Sequence, residues 1–191
     1  MLPLSSTALL NEPWLPSCAA LVIPGGADLP FCRLLNGAGN RLIRSYVQNG
    51  GKYIGLCAGA YYASSRCEFM EGDRYMEVVG DRELQFYPGT CRGLAFNGFK
   101  YQSEAGAKAV KLEVKLSAFR DLHLKLSSSI ESYYNGGGVF VDADRYEREG
   151  NLEVLASYTD DLDCNSGEGK AAVIYRKIGQ GAVLLTAPHP E

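Results

Sequence analysis

Cys57 stands in Gly55-Leu56-Cys57-Ala58-Gly59-Ala60, a G-x-C-x-G pattern that leaves an apolar run and enters a run of small residues. It is the thiol counterpart of the G-x-S-x-G elbow, in which a nucleophile sits on a sharp strand-to-helix turn. The residues two positions to either side must be small, because neighbouring backbone crowds such a turn. Free N–H groups at the start of the following helix face the sulfur, and their field favours thiolate over thiol. The N–H of Ala58 would face an oxyanion formed on a substrate carbonyl. A second feature is Pro188-His189-Pro190-Glu191. Pro190 biases His189 toward extended backbone, where residues i and i+2 share a face, so His189 and Glu191 can point the same way. A thiol, an imidazole base and a carboxylate that orients the base form a nucleophilic triad. The third feature is Pro24-Gly25-Gly26, whose bare glycine N–H groups can complete an oxyanion hole.

The surrounding elements must hold these residues. Ala19 to Ile23 is a short, fully apolar run cut off by Pro24-Gly25-Gly26, as expected of a buried parallel strand. A helix is expected from Ala38 to Gln48, capped by Asn36, with Leu42, Ile43, Tyr46 and Val47 on one face and Asn49-Gly50-Gly51 as its stop. Lys52 to Leu56 reads as the next strand and Ala58 to Ser65 as the helix after the elbow. This alternation is the signature of an α/β fold. The second half is richer in β-type segments: Ala109 to Leu116, Ser129 to Tyr134, Val139 to Asp142, Val154 to Tyr158, Ala171 to Arg176 and Ala182 to Thr186. Short links such as Gly179-Gln180-Gly181 favour antiparallel additions to the sheet. Thr7 to Trp14 is a short helical or irregular lead-in, and no strand is expected before Ala19. A βαβ unit needs roughly 30 residues, so the opening strand and helix of an α/β domain are expected to be missing.

The remaining candidates carry weaker chemistry. Asp28, just past the glycine pair, either contacts a substrate or caps a turn. Tyr61 and Tyr62 either line a pocket or pack a helix face, and Asn135-Gly136-Gly137-Gly138 either borders the site or forms a turn. Cys91 has Arg92 beside it, which would lower a thiol pKa; the other cysteines read as small core residues, and His123 as a surface residue. Asp161-Leu162-Asp163-Cys164-Asn165 starts like a calcium loop, but Ser166 stands where glycine is required and Ala172 where the closing glutamate belongs. No Cys/His spacing fits zinc, no dinucleotide or phosphate loop is complete, and no cofactor or metal is expected.

Composition narrows the class. With 19 basic against 22 acidic residues and a net charge of -3, the chain has no polybasic footprint for nucleic acid or anionic lipid. No apolar run reaches membrane length and no signal peptide is evident, so a cytoplasmic protein with reduced thiols is expected. The 191 residues fit one domain, and the 22 glycines exceed the usual share of about 7%. The excess is concentrated: Gly25, Gly26, Gly55 and Gly59 fall where an oxyanion loop and an elbow need them.

Taken together, Asn11-Glu12-Pro13-Trp14, Val22 to Pro30, Gly55 to Ala63, Phe86-Tyr87-Pro88-Gly89-Thr90, Tyr134 to Gly138 and His189-Pro190-Glu191 resemble the amidotransferase-like N-terminal domain of fungal biotin–protein ligases. That domain belongs to the class I glutamine amidotransferase-like superfamily. The resemblance covers nearly the whole chain and implies a flavodoxin-like, three-layer α/β/α fold with a mostly parallel sheet. It also implies Cys57 as nucleophile, His189 as base, Glu191 as orienting acid, and Gly26 and Ala58 as oxyanion donors. Gly25, Asp28, Tyr61 and Asn135 are candidate substrate contacts. The implied reaction is thiolate attack on a small-molecule amide, a thioester, then hydrolysis with release of ammonia. Biotin ligation is not expected, because the ligase's catalytic domain has no counterpart in these residues. Two other readings share the same residues: a catalytically silent regulatory or interaction module, and a redox-sensing thiol protein. The missing first strand predicts a truncated domain whose exposed sheet edge is covered by a homodimer partner or another protein.

Overall fold

The computed structural model describes residues 1–122 and 125–190. The first half contains α1 (Ser6–Asn11), β1 (Leu21–Ile23), α2 (Asp28–Leu35), α3 (Ala38–Gln48), β2 (Lys52–Leu56), α4 (Ala58–Ala63), β3 (Ser64–Phe69), β4 (Val78–Asp81) and β5 (Tyr87–Gly93). There follow β6 (Lys108–Val114), β7 (Ser129–Tyr134), β8 (Val139–Phe140), α5 (Ala143–Arg148), β9 (Glu153–Tyr158), β10 (Ala171–Ile178) and β11 (Gly181–Thr186). Among the described residues no helix is long and apolar enough to cross a membrane.

The larger sheet is mixed and runs β1-β2-β11-β10-β9-β6-β7. Its parallel part is β1, β2 and β11, in which Ile23, Gly55 and Leu185 stand in register. From β11 onward every pairing is antiparallel, so the antiparallel additions expected of the second half form the wider part of the sheet. β1 is an edge, paired with β2 alone among the described residues.

The apolar spacing of α3 accounts for its packing. Gly39, Ile43, Tyr46 and Val47 are buried along one face, with Ile43 and Val47 fully so. The helix lies against β2 and β11. Its bounds match the expected ones, but its cap residue is Gly37, with φ 80°. Asn36 instead closes α2, and its Oδ1 accepts from Asn40 Nδ2 at 3.0 Å. The helix after the elbow is also shorter than expected: Ser64 already belongs to β3.

Two features were not anticipated. Helix α2 follows the glycine pair directly, where only Asp28 had been singled out. The second is a smaller sheet, β4-β3-β5-β8, in which β3 and β5 run parallel. Its strands hide from pattern reading: β3 is Ser-Ser-Arg-Cys-Glu-Phe and β5 contains Pro88 and Gly89. Their stability comes from tertiary contacts. Cys67 and Cys91 face each other in register and are buried, while Glu68 on the other face joins Arg66 and Arg92, each at 2.8 Å.

The elbow packs through backbone contact. A Cβ at Gly59 would lie 2.2 Å from the carbonyl oxygen of Ile23, and one at Gly55 would lie 2.7 Å from the carbonyl oxygen of Gly59. Fully buried Tyr53 adds a tie, donating from its hydroxyl to the Gly59 carbonyl at 3.0 Å. Gly59→Ala is therefore expected to destabilise the domain by about 1–3 kcal/mol, since only backbone movement can relieve the overlap. Urea denaturation at neutral pH checks this; an unchanged midpoint would show that α4 can shift away from β1 freely.

Candidate active site

The turn between β2 and α4 places Cys57 at φ 45°, ψ -100°. A side-chain-bearing residue there is strained by roughly 1–3 kcal/mol. Backbone hydrogen bonds hold it: Cys57 N–H donates to the Thr186 carbonyl at 2.9 Å, and its own carbonyl accepts from Ala60 at 2.9 Å and Tyr61 at 3.0 Å. The residue is 5% exposed and lines a cavity of about 510 Å³.

His189 lines the same cavity. It follows β11 and is fastened to the far edge of the large sheet, its N–H donating to the Tyr133 carbonyl at 2.8 Å in an isolated antiparallel bridge. Ser132 Oγ donates to the His189 carbonyl at 3.1 Å, and the Tyr133 ring meets the imidazole edge-on, centroids 5.9 Å apart. The absent side chain of Gly25 leaves space for the imidazole: a Cβ there would lie 2.4 Å from its Cε1. Gly25 thus seats the ring, while Gly26 and Ala58 line the cavity beside Cys57. Glu191 and His123 lie outside the described residues.

Other sequence candidates separate here. Tyr61 lines the cavity, and burial pushes its hydroxyl well up from the usual range. Tyr62 is fully buried elsewhere, with its hydroxyl on Asn40 Oδ1. Asn135 and Gly136 border the cavity. Asp28 is the first residue of α2, whose cap is Ala27, and it lines the cavity, while its Oδ2 accepts from Arg82 Nε at 2.7 Å. Burial alone would pull the Arg82 pKa down, but the hydrogen bond and charge of Asp28 more than reverse this and leave it raised.

Cys91 corrects its expectation. It is fully buried, and burial pushes its thiol well up rather than down. Arg92, one position along the strand, points to the opposite face and pairs with Glu68. The calcium-like segment is spent on structure: Asp161 pairs with Lys170 at 2.6 Å, and Asp163 Oδ2 accepts from the Asn97 N–H at 2.8 Å. Among the described residues, no group of three or more His, Cys, Asp or Glu could hold a metal ion.

Sequence reading missed much of the cavity wall. Cys67, Phe69 and Val78 come from the smaller sheet, and Phe99, Tyr101 and Glu104 from the loop before β6. The clustering of aromatic residues in that loop was the available signal.

The family model described as "Biotin-protein ligase, N terminal" matches residues 1–191. The chain belongs to this family. Against the biotin–protein ligase of Schizosaccharomyces pombe, this family member is 41% identical over 186 residues, 97% of the chain but 27% of the ligase. An uncharacterized protein of Chlamydia muridarum is 36% identical over 96% of the chain and 64% of its own length. The chain therefore spans less than two thirds of each of these relatives. A crystal structure of a glutamine amidotransferase shares the fold at TM-score 0.54 and 20% identity, covering 90% of this chain and 70% of its own. This likeness supports the expected amidotransferase-like α/β fold.

The Asp28–Arg82 pair at the cavity wall is deeply buried, with side chains 7% and 5% exposed. Asp28→Asn leaves a buried guanidinium without its counter-charge and is expected to destabilise the domain by about 3–5 kcal/mol. Replacing both residues, as in Asp28→Asn with Arg82→Met, is expected to recover part of that loss. Urea denaturation of the single and double variants measures both; equal losses would mean that the pair acts only by packing.

Proposed function

We propose that this domain hydrolyses a small-molecule amide, with Cys57 as the nucleophile. The observation that carries the reading is Cys57 held at φ 45° on the wall of a cavity that His189 also lines. In this reaction His189 takes the thiol proton and the sulfur attacks the amide carbon. The oxyanion forms against the N–H groups of Gly26 and Ala58. Collapse breaks the C–N bond, His189 returns the proton to the nitrogen, and ammonia leaves from the thioester. Water, deprotonated by His189, then attacks the thioester and restores the thiol. Glu191 is assigned to orient the imidazole.

The other thiols provide the internal reference for a test. Burial pushes Cys67 and Cys91 up, and raises Cys164 as well, so these groups stay protonated at neutral pH. Iodoacetamide at pH 7 is expected to alkylate Cys57 first, and His189→Ala to slow that reaction about 100-fold or more. Peptide mass mapping over time gives the rates. Cys57 reacting no faster than Cys164 would overturn the proposal. A panel of primary amides, with ammonia as readout and Cys57→Ser as control, then tests turnover. Peroxide oxidation of Cys57 to the sulfenic acid, with no ammonia from any amide, would favour the redox-sensing reading.

A further inference from the structure

The cavity beside Cys57 has a one-sided charge. Apart from His189, its charged lining residues are Asp28 and Glu104; among the described residues no lysine or arginine lines it. Arg82 balances Asp28 from behind, at 2.7 Å. Glu104 is held differently: its Oε2 accepts from the Tyr133 hydroxyl at 2.6 Å, a neutral donor that leaves the carboxylate charge uncancelled. Asn135 braces this side of the cavity. Its Nδ2 donates to the Ser103 carbonyl and to the Tyr133 hydroxyl, each at 3.3 Å, whereas its Oδ1 is buried without a hydrogen-bond partner. Phe69, Phe99 and Tyr101 complete this side of the wall, and aromatic faces attract cations.

The loop that carries Glu104 is also held at its base. It is anchored where the Asn97 N–H meets Asp163, and is pinched where Gly98 and Gly106 touch so closely that a Cβ on Gly106 would lie 2.5 Å from the Gly98 carbonyl carbon. The wall thus presents a negative charge and π faces, and among the described residues no lysine or arginine on it offers a counter-charge to a substrate carboxylate.

We infer that the cavity admits an amide whose tail carries a protonated amine and no carboxylate, its N–H groups donating to Glu104. This inference rests on the amide-hydrolysis reading and narrows its substrate class. An amino acid amide with a blocked α-carboxylate suits the wall; the free amino acid would set its own carboxylate against Glu104.

The test uses three methanethiosulfonates that share one reactive group: the neutral methyl, the cationic 2-aminoethyl and the anionic 2-sulfonatoethyl reagents. In each, the thiolate attacks the sulfenyl sulfur, a disulfide forms, and methanesulfinate leaves with the electron pair of the broken S–S bond. Rates at Cys57 are read by peptide mass and compared with those of N-acetylcysteine. The cationic-to-anionic rate ratio at Cys57 is expected to exceed the free-thiol ratio by about tenfold or more. Glu104→Gln is expected to lower that ratio about threefold or more, and Glu104→Lys to invert the preference. Thermal melting of both variants verifies that they are folded. A ratio equal to that of N-acetylcysteine, or one that Glu104→Gln leaves unchanged, overturns this inference alone. If the neutral reagent modifies Cys57 no faster than Cys164, the amide-hydrolysis reading falls with it.

Discussion

The arrangement depends on one contact between two pieces of backbone. Gly59 in α4 approaches the Ile23 carbonyl of β1 so closely that no side chain fits between them. That approach lets a short helix lie directly over the parallel strands and forces the turn before it into the tight form that Cys57 occupies. The hydroxyl of Tyr53 on the Gly59 carbonyl and the crowding at Gly55 fix the same helix from below. Because α4 leads without a break into β3, its direction also sets where the smaller sheet begins. The cavity walls then follow: the parallel strands supply the glycine loop and the elbow, the smaller sheet supplies Cys67 and Phe69, and the loop before β6 closes the remaining side.

Local chemistry was legible in the sequence and long-range chemistry was not. The elbow could be read because its small residues lie within five positions and have one geometric cause. Helix α3 could be read because its buried residues repeat at helical spacing. The smaller sheet could not, since Arg66, Glu68 and Arg92 look like solvated charges until β3 and β5 place them side by side. Arg82 gave no sign of being a buried partner, because its counter-charge, Asp28, is distant in the chain. Cys91 misled for a related reason. A sequence neighbour in a strand lies on the opposite face, so Arg92 could not supply the field that adjacency suggested.

Residues around the cavity combine structural and chemical roles. Asp28 opens a helix, neutralises a buried arginine and lines the cavity. Gly25 was a candidate substrate contact, yet its missing side chain is what gives the imidazole of His189 its place. Tyr133 binds His189 through backbone and ring while its hydroxyl reaches Glu104. A change at any of these positions therefore alters packing and the cavity together, and the two effects separate only when stability and thiol reactivity are measured on the same variant.

His189 takes its position from Tyr133 on β7, while Cys57 follows β2, five strands away in the sheet order. The cavity therefore closes only once β7 and the segment after β11 have met, and the imidazole arrives long after the elbow. At a synthesis rate of about 5–20 residues per second, a growing chain carries its elbow cysteine on the order of ten seconds before that ring exists. During biogenesis the Cys57 thiol therefore lacks the neighbouring imidazole and the enclosing wall that the finished fold gives it.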